Sequence, residues 1–396
     1  MMLLFTNAQI LRLFIAQALF WSCAMIGIIL TSLVGLQLAP SAGLATLPLG
    51  LLVLGHLMAV GPVSSLMQRK GRQVGFVLGA LAGILGGLLS AFAIWHASFT
   101  LLCLGALPLG AYQASAMFYR FAAIESVEEA YKGRATACVI GGGVGAALIA
   151  PTLGSLARDA LSVPFVGAYL LVAALALVAL LVLAGLRPGQ ASSSSAAKPA
   201  ASLASLLTRP VIRAAVLTTA VGHGLMILIM TATPLAMRFH GMDVDSAAQV
   251  IQWHVLGMFL PAFIAGPLVD RLGNSRVACL GAVTMVLSAS VALLGTSHLN
   301  FLLSSCLLGM GWNLMLVAGT TLLGTGHSPD ERASAQGLME FSNGSMAAIM
   351  SFAAGALITT IGWSAVNIGL LPIAALVIGV QLSVTRGTAA RRLLEP

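Results

Sequence analysis

The chain has 396 residues, of which 59% are hydrophobic and only 8% are charged. A soluble globular chain carries about a quarter charged residues, so this composition excludes a soluble enzyme or regulator and requires an integral membrane protein. The formal net charge of +8 follows from loop topology; it calls for no nucleic-acid partner, while contact with anionic lipid is natural.

The apolar runs are each near the roughly 20 residues that span a bilayer as a helix. They exceed strand length and are rich in Leu and Ala, which favours helices over a barrel. Twelve spans are predicted. The first six cover approximately 9–36, 44–67, 73–96, 99–120, 133–157 and 163–186. The second six cover approximately 210–237, 246–269, 275–296, 299–324, 332–358 and 363–385. The first stretch is too long for a signal peptide and lacks a small-residue cleavage site, so it reads as the first span.

Lys and Arg placement sets the orientation. With the N-terminus inside, the cytoplasmic loops hold Arg69, Lys70, Arg72, Lys132, Arg134, Arg187, Lys198, Arg209, Arg271, Arg276 and Arg332, and the tail holds Arg391 and Arg392. Arg158 and Arg238 fall outside. Both termini are therefore expected on the cytoplasmic side of a multi-pass protein.

In chain order, Gln17, Trp21 and Cys23 mark span 1, and His56 lies in span 2. Gln113 and Arg120 lie in span 4; Arg120 is expected to anchor the inner interface or pair with Glu125. Span 5 carries Gly141-Gly142-Gly143 and Pro151, small residues suited to close helix approach and a bend. Residues 187–208 contain Ser192-Ser193-Ser194-Ser195 and Lys198-Pro199, the composition of a flexible connector. The expected units are a six-helix bundle over 1–186, a linker over 187–208 and a second bundle over 209–396. The five cysteines, Cys23, Cys103, Cys138, Cys279 and Cys306, form no C-x-x-C and read as small buried residues.

The two halves repeat. Ser64-Ser65-Leu66-Met67-Gln68-Arg69-Lys70-Gly71-Arg72 follows span 2, and Gly266-Pro267-Leu268-Val269-Asp270-Arg271-Leu272-Gly273-Asn274 follows span 8. Gly133-Arg134-Ala135 opens span 5, and Glu331-Arg332-Ala333 opens span 11. A duplicated six-helix unit with a central linker is the organisation of many secondary transporters. No G-x-x-x-x-G-K-[ST] loop occurs, which disfavours ATP-driven pumping, and no constellation supports hydrolytic catalysis.

Spans 7 and 8 carry the pairs Met226-x-x-x-Met230 and His254-x-x-x-Met258. Residues four apart share a helix face, and thioether and imidazole are donors that Cu(I) prefers. At 1.5 Å per residue both pairs lie about 12 and 18 Å below the outer helix ends. The alternative is packing, because Met fills gaps in apolar helices; Met346-x-x-x-Met350 on span 11 is such a pair with no His near it in sequence. His223 shares the face of Met226 and Met230 and is a candidate for the substrate path. A shift of 202 positions sets His56 opposite Met258, making it a second candidate. Glu340, an acidic residue inside span 11, is a coupling candidate by default, with pairing to an Arg such as Arg120 as the structural alternative.

The Gly266–Gly273 segment resembles the G-x-x-x-D-R-x-G loop signature of the major facilitator superfamily. The glycines allow a tight turn, and Asp270 and Arg271 are suited to charge pairing at the cytoplasmic end. In the first-half copy Ser64 and Gln68 replace the Gly and the acid, which weakens a first-half latch. The resemblance covers nearly the whole chain and implies an all-α integral membrane fold: twelve transmembrane helices in two six-helix, pseudo-symmetric halves.

Within that superfamily the chain resembles the CcoA-like copper importers, a branch marked by Met-x-x-x-Met on the seventh helix and His-x-x-x-Met on the eighth. The resemblance implies alternating-access copper uptake across a bacterial inner membrane for assembly of cbb3-type cytochrome oxidase. Met226, Met230, His254 and Met258 would be the ligands. Copper would be cargo rather than cofactor, the protein a monomer, and a cytoplasmic copper chaperone the candidate acceptor. The alternative is a proton-coupled transporter of an organic solute such as riboflavin, or of drugs. Span 5 partly resembles the antiporter helix-5 motif, with Ala150 where that motif has Gly.

Overall fold

The computed structural model describes residues 7–41, 44–187 and 202–394, leaving aside the side chains of 28, 29, 32, 244, 245 and 386–394. Most of the expected linker, with Lys198, and the side chains of Arg391 and Arg392 lie outside the described residues.

Among the described residues every regular element is a helix. Twelve helices are long and apolar enough to cross a bilayer: Ala8–Gly27, Leu47–Lys70, Arg72–Trp95, Phe99–Glu125, Glu129–Arg158, Val166–Ala184, Pro210–Phe239, Ser246–Leu272, Asn274–Leu294, His298–Leu323, Pro329–Thr360 and Gly362–Thr385. They are numbered here as spans 1 to 12. The expected ends shift by a few residues. Span 6 starts late because Phe165 takes a positive φ of 70° and its N–H bonds back to the Arg158 carbonyl, so the chain before it is a turn.

Side-chain caps start several helices. Asn7 Oδ1 accepts from the backbone N–H groups of Gln9 and Ile10 at span 1. Ser297 and Asn300 form a reciprocal capping box at span 10, satisfying amides that have no partner within the helix. Gly71 and Gly273 sit at equivalent turns with φ of 90° and 85°, a region open to glycine and costly for other residues.

Three spans are interrupted, which the apolar pattern does not reveal. Span 4 divides into Phe99–Ala116 and Tyr119–Glu125. Span 5 divides at Gly141-Gly142 into Lys132–Ile140 and Gly143–Arg158. Span 8 divides at Leu260-Pro261 into Val244–Phe259 and Ala262–Leu272. Proline lacks the N–H that would continue the ladder, but Pro108, Pro151 and Pro234 lie inside unbroken helical segments, so proline alone does not decide a break.

Packing divides the chain into two compact units, Met1–Ser126 with Gly142–Ala200, and Val127–Gly141 with Ala201–Pro396. The break in span 5 thus assigns its first segment to the second unit, where it packs on Ala262–Leu272. The end of the expected linker forms a short helix, Leu203–Leu207.

Each unit repeats one packing device. In the first unit a Cβ on Gly55 would lie 2.4 Å from the Leu107 carbonyl oxygen, and one on Gly110 2.6 Å from the His56 amide. In the second, a Cβ on Gly257 would lie 2.6 Å from the Cys306 carbonyl oxygen, and one on Gly309 2.7 Å from the Met258 amide. Spans 2 and 4, and spans 8 and 10, therefore touch backbone to backbone, which only glycine permits at these points. His56 and Met258 occupy equivalent places in their own units.

Candidate functional site

Span 7 packs most extensively on spans 10, 11 and 12 of the second unit. A Cβ on Gly222 would meet Met315 of span 10, and one on Gly224 would meet Met346 and Met350 of span 11. Thr218 accepts from Gln381 of span 12 at 2.7 Å. Between the faces turned to spans 10 and 11 runs a half-buried stripe of His223, Ile227, Met230 and Pro234, spaced as one helical face. Met226 lies beside this stripe and is 2% exposed. The pair Met346 and Met350 packs on Gly224, the gap-filling role open to methionine.

Span 8 turns His254, Gly257 and Met258 toward span 10. His254 is 1% exposed and Met258 4%. The His254 Nδ1 lies 2.8 Å from the Ser305 carbonyl oxygen. A carbonyl only accepts, so Nδ1 carries the proton and Nε2 carries the lone pair. That Nε2 is buried without a hydrogen-bond partner.

Trp312 of span 10 reaches both flanking spans. Its indole Nε1–H donates to His223 Nδ1 at 3.0 Å, and its ring stands edge-on to Phe259, centroids 6.1 Å apart. Trp312 thus links His223 of span 7 to Phe259, the residue that follows Met258 on span 8. Below this point Pro261 interrupts span 8, and Asn313 donates to the buried Met258 carbonyl at 2.7 Å. Ser305, Trp312 and Asn313 hold the candidate residues His254, His223 and Met258 by hydrogen bonds, and the sequence reading passes over all three. Their one signal is polarity within an apolar span.

The loop after span 8 engages the first segment of span 5. The Gly133 N–H donates to Asp270 Oδ1 at 2.9 Å, and Arg134 lies 3.2 Å from Asp270 Oδ2. A Cβ on Gly133 would stand 2.5 Å from Asp270 Oδ1, and one on Gly266 2.7 Å from the Arg134 Cα, so both glycines serve close approach. Gly273 supplies the positive-φ turn. Arg271 is exposed, and the cation at the carboxylate is Arg134 of span 5 rather than the adjacent Arg271.

In the first unit His56 is buried at 4% exposure on span 2. Glu125 pairs with Arg72, Nη2 to Oε1 2.5 Å. Arg120 is buried, donates to the Met117 carbonyl at 3.2 Å and lies 4.8 Å from the Phe121 ring centroid. Glu340 of the second unit is fully buried on span 11. The five cysteines are free thiols.

The model of the Major Facilitator Superfamily matches residues 225–392. The riboflavin transporter RfnT of Brucella anthropi is 38% identical over 373 residues, covering 93% of this chain and 94% of that one. The chain belongs to the major facilitator superfamily. An uncharacterized facilitator-type transporter of Bacillus subtilis, YdeG, is 30% identical over 79% of this chain and 77% of its own length. Among solved structures, the facilitator FucP in its outward conformation superposes with a TM-score of 0.75 at 16% identity, covering 95% of this chain and 97% of that one. At that identity the likeness concerns the fold. The protein is thus a multi-pass, twelve-helix facilitator, a secondary transporter rather than an enzyme.

Proposed function

We propose that this facilitator carries a riboflavin-like organic solute by alternating access. The observation that carries this reading is the 38% identity, nearly end to end, with a riboflavin transporter. The second unit suits such cargo: His223 and Trp312 bring hydrogen-bonding and aromatic groups together beside a half-buried helical stripe, the mixture of apolar wall and few polar groups that orients organic ligands.

A second reading, copper import, is favoured by His254. Metal-binding histidines typically donate their other ring N–H to a carbonyl or carboxylate, which fixes the tautomer. His254 does so through Nδ1 and keeps a buried Nε2 one helical turn from the Met258 thioether. Met226, Met230, His254 and Met258 are the ligands of that reading, and cbb3-type oxidase assembly is its destination.

Uptake by the purified protein in liposomes tests both, with riboflavin and Cu(I) offered separately, with and without a proton gradient. Saturable riboflavin uptake and no copper uptake supports the first reading. Copper uptake abolished by Met226→Leu, with no riboflavin uptake, overturns it in favour of the second.

A further inference from the structure

Two carboxamides sit near the middle of the first unit, Gln17 on span 1 and Gln113 on span 4. Gln17 is 6% exposed and Gln113 is half-buried. Neither side chain forms a hydrogen bond with another described residue. An unpaired amide is costly to bury, and a bilayer core supplies no water to relieve it. The packing contacts show which way each amide-bearing face is turned. Span 1 gives Ala18 and Ile26 to span 5, where Cβ atoms on Gly145 and Gly154 would meet them, and Cys23 to the Val172 carbonyl of span 6. Gln17 lies on another side with Phe14, Trp21 and Met25, all half-buried and spaced as one helical face. Span 4 gives Leu107 and Gly110 to span 2, and Tyr112 and Ser115 to span 3. Gln113 lies between those two faces, in line with the half-buried Met117, and on the side of the helix opposite the exposed Leu104.

The two spans meet at Phe20 and Tyr112, whose rings stand edge-on with centroids 5.4 Å apart. Successive crossings alternate in direction, so spans 1 and 4 run antiparallel, and Gln17 and Gln113 lie on the same side of that contact. At 1.5 Å per residue they stand about 4.5 and 1.5 Å from it along the helix axes. Two amides thus share one depth beside an aromatic pair. A carboxamide donates through its NH2 group and accepts through its oxygen, the pattern that meets the edge of a heterocyclic base two bonds at a time. We propose that Gln17 and Gln113 form a solute-binding contact of the first unit and read a planar amide or imide edge of the cargo, where donor and acceptor stand side by side as on the pyrimidine ring of a flavin. The proposal rests on the organic-solute reading and narrows its cargo to molecules with such an edge. Phe14, Trp21 and Met25 supply apolar wall on the face of Gln17, the companion such a polar contact needs in a ligand site.

The test compares riboflavin with N3-methylriboflavin, whose imide nitrogen has lost its hydrogen, in liposomes holding the full chain. The unsubstituted protein should take up the methylated compound with a KM roughly three- to tenfold higher, the scale of one hydrogen bond. Gln17→Leu and Gln113→Leu should each raise the riboflavin KM by a similar factor, and the doubly substituted protein should no longer distinguish the two compounds. Thermal unfolding of the same variants separates binding from helix packing. A packing role alone predicts lower unfolding midpoints with the ratio of the two KM values unchanged, and that result overturns the proposal. Equal KM values for the two compounds in the unsubstituted protein overturn it as well, by a measurement that needs no variant. No riboflavin uptake by the unsubstituted protein overturns the organic-solute reading and this proposal with it, whereas riboflavin uptake indifferent to both amides overturns the proposal alone.

Discussion

Asn313 donates its side-chain amide to the main-chain carbonyl of Met258 at 2.7 Å. Pro261 cannot continue the span 8 ladder, and the carbonyls of the turn before it need donors from elsewhere. One candidate cargo residue is therefore held at a helix break by a side chain from another span. Asn313→Leu should leave that carbonyl buried and unpaired, at a cost of about 1–3 kcal/mol. A lowered midpoint in thermal unfolding of the detergent-solubilised protein would be the readout, and an unchanged midpoint would show that the bond is dispensable.

Asp270 joins the loop after span 8 to the start of span 5, and its side chain is 8% exposed. Asp270→Ala should remove the bond from the Gly133 amide together with the Arg134 pair, costing about 1.5–3 kcal/mol for a charged hydrogen bond and lowering transport at equal membrane abundance. Arg134→Ala should do less, because its side chain is 40% exposed and exposed pairs contribute little. Equal losses in the two variants would mean that the amide bond carries no weight.

Gly110 and Gly309 are predicted to behave as a pair. A Cβ on Gly110 would lie 2.1 Å from the Leu52 carbonyl oxygen, and one on Gly309 2.6 Å from the His254 carbonyl oxygen. The neighbouring atoms are backbone in both cases, so the helices must separate. Gly110→Ala and Gly309→Ala should each destabilise by about 1–3 kcal/mol, the usual cost of overpacking. Gly355→Ala, where nothing lies within 4 Å, should be silent in the same thermal assay.

His254→Asn offers a direct decision between cargoes. Asparagine can still donate toward the Ser305 carbonyl but has no group at the Nε2 position. For copper cargo, accumulation should fall roughly tenfold or more, the scale on which metal sites lose affinity when ligand support is disturbed. For riboflavin cargo, uptake should change little. Parallel uptake of radioactive copper and of riboflavin by cells expressing equal amounts of the variant distinguishes the two.

Much of this organisation is legible in the residues. Long apolar runs separated by basic loops specify twelve helices, because a bilayer requires every span to satisfy its own backbone. The repeat of Gly71-Arg72 at Gly273-Asn274 marks the two equivalent positive-φ turns. The soft pairs on spans 7 and 8 are visible from spacing alone. Their environments are not: Met226 is buried while Met230 stands on the half-buried stripe, a difference set by neighbouring helices and absent from a four-residue period.

The sequence by itself determined a helical membrane carrier built twice over, since length, hydropathy and charge placement are properties of each segment taken alone. The tertiary structure decided which partner each polar group inside the membrane receives. Ser305 gives His254 its tautomer, Trp312 gives His223 the opposite one, and Arg134 rather than Arg271 meets Asp270. These partners lie between 51 and 137 positions away along the chain for His254, His223 and the Gly133 bond to Asp270. Local periodicity does not encode such pairings; helix packing does, because it fixes which faces meet.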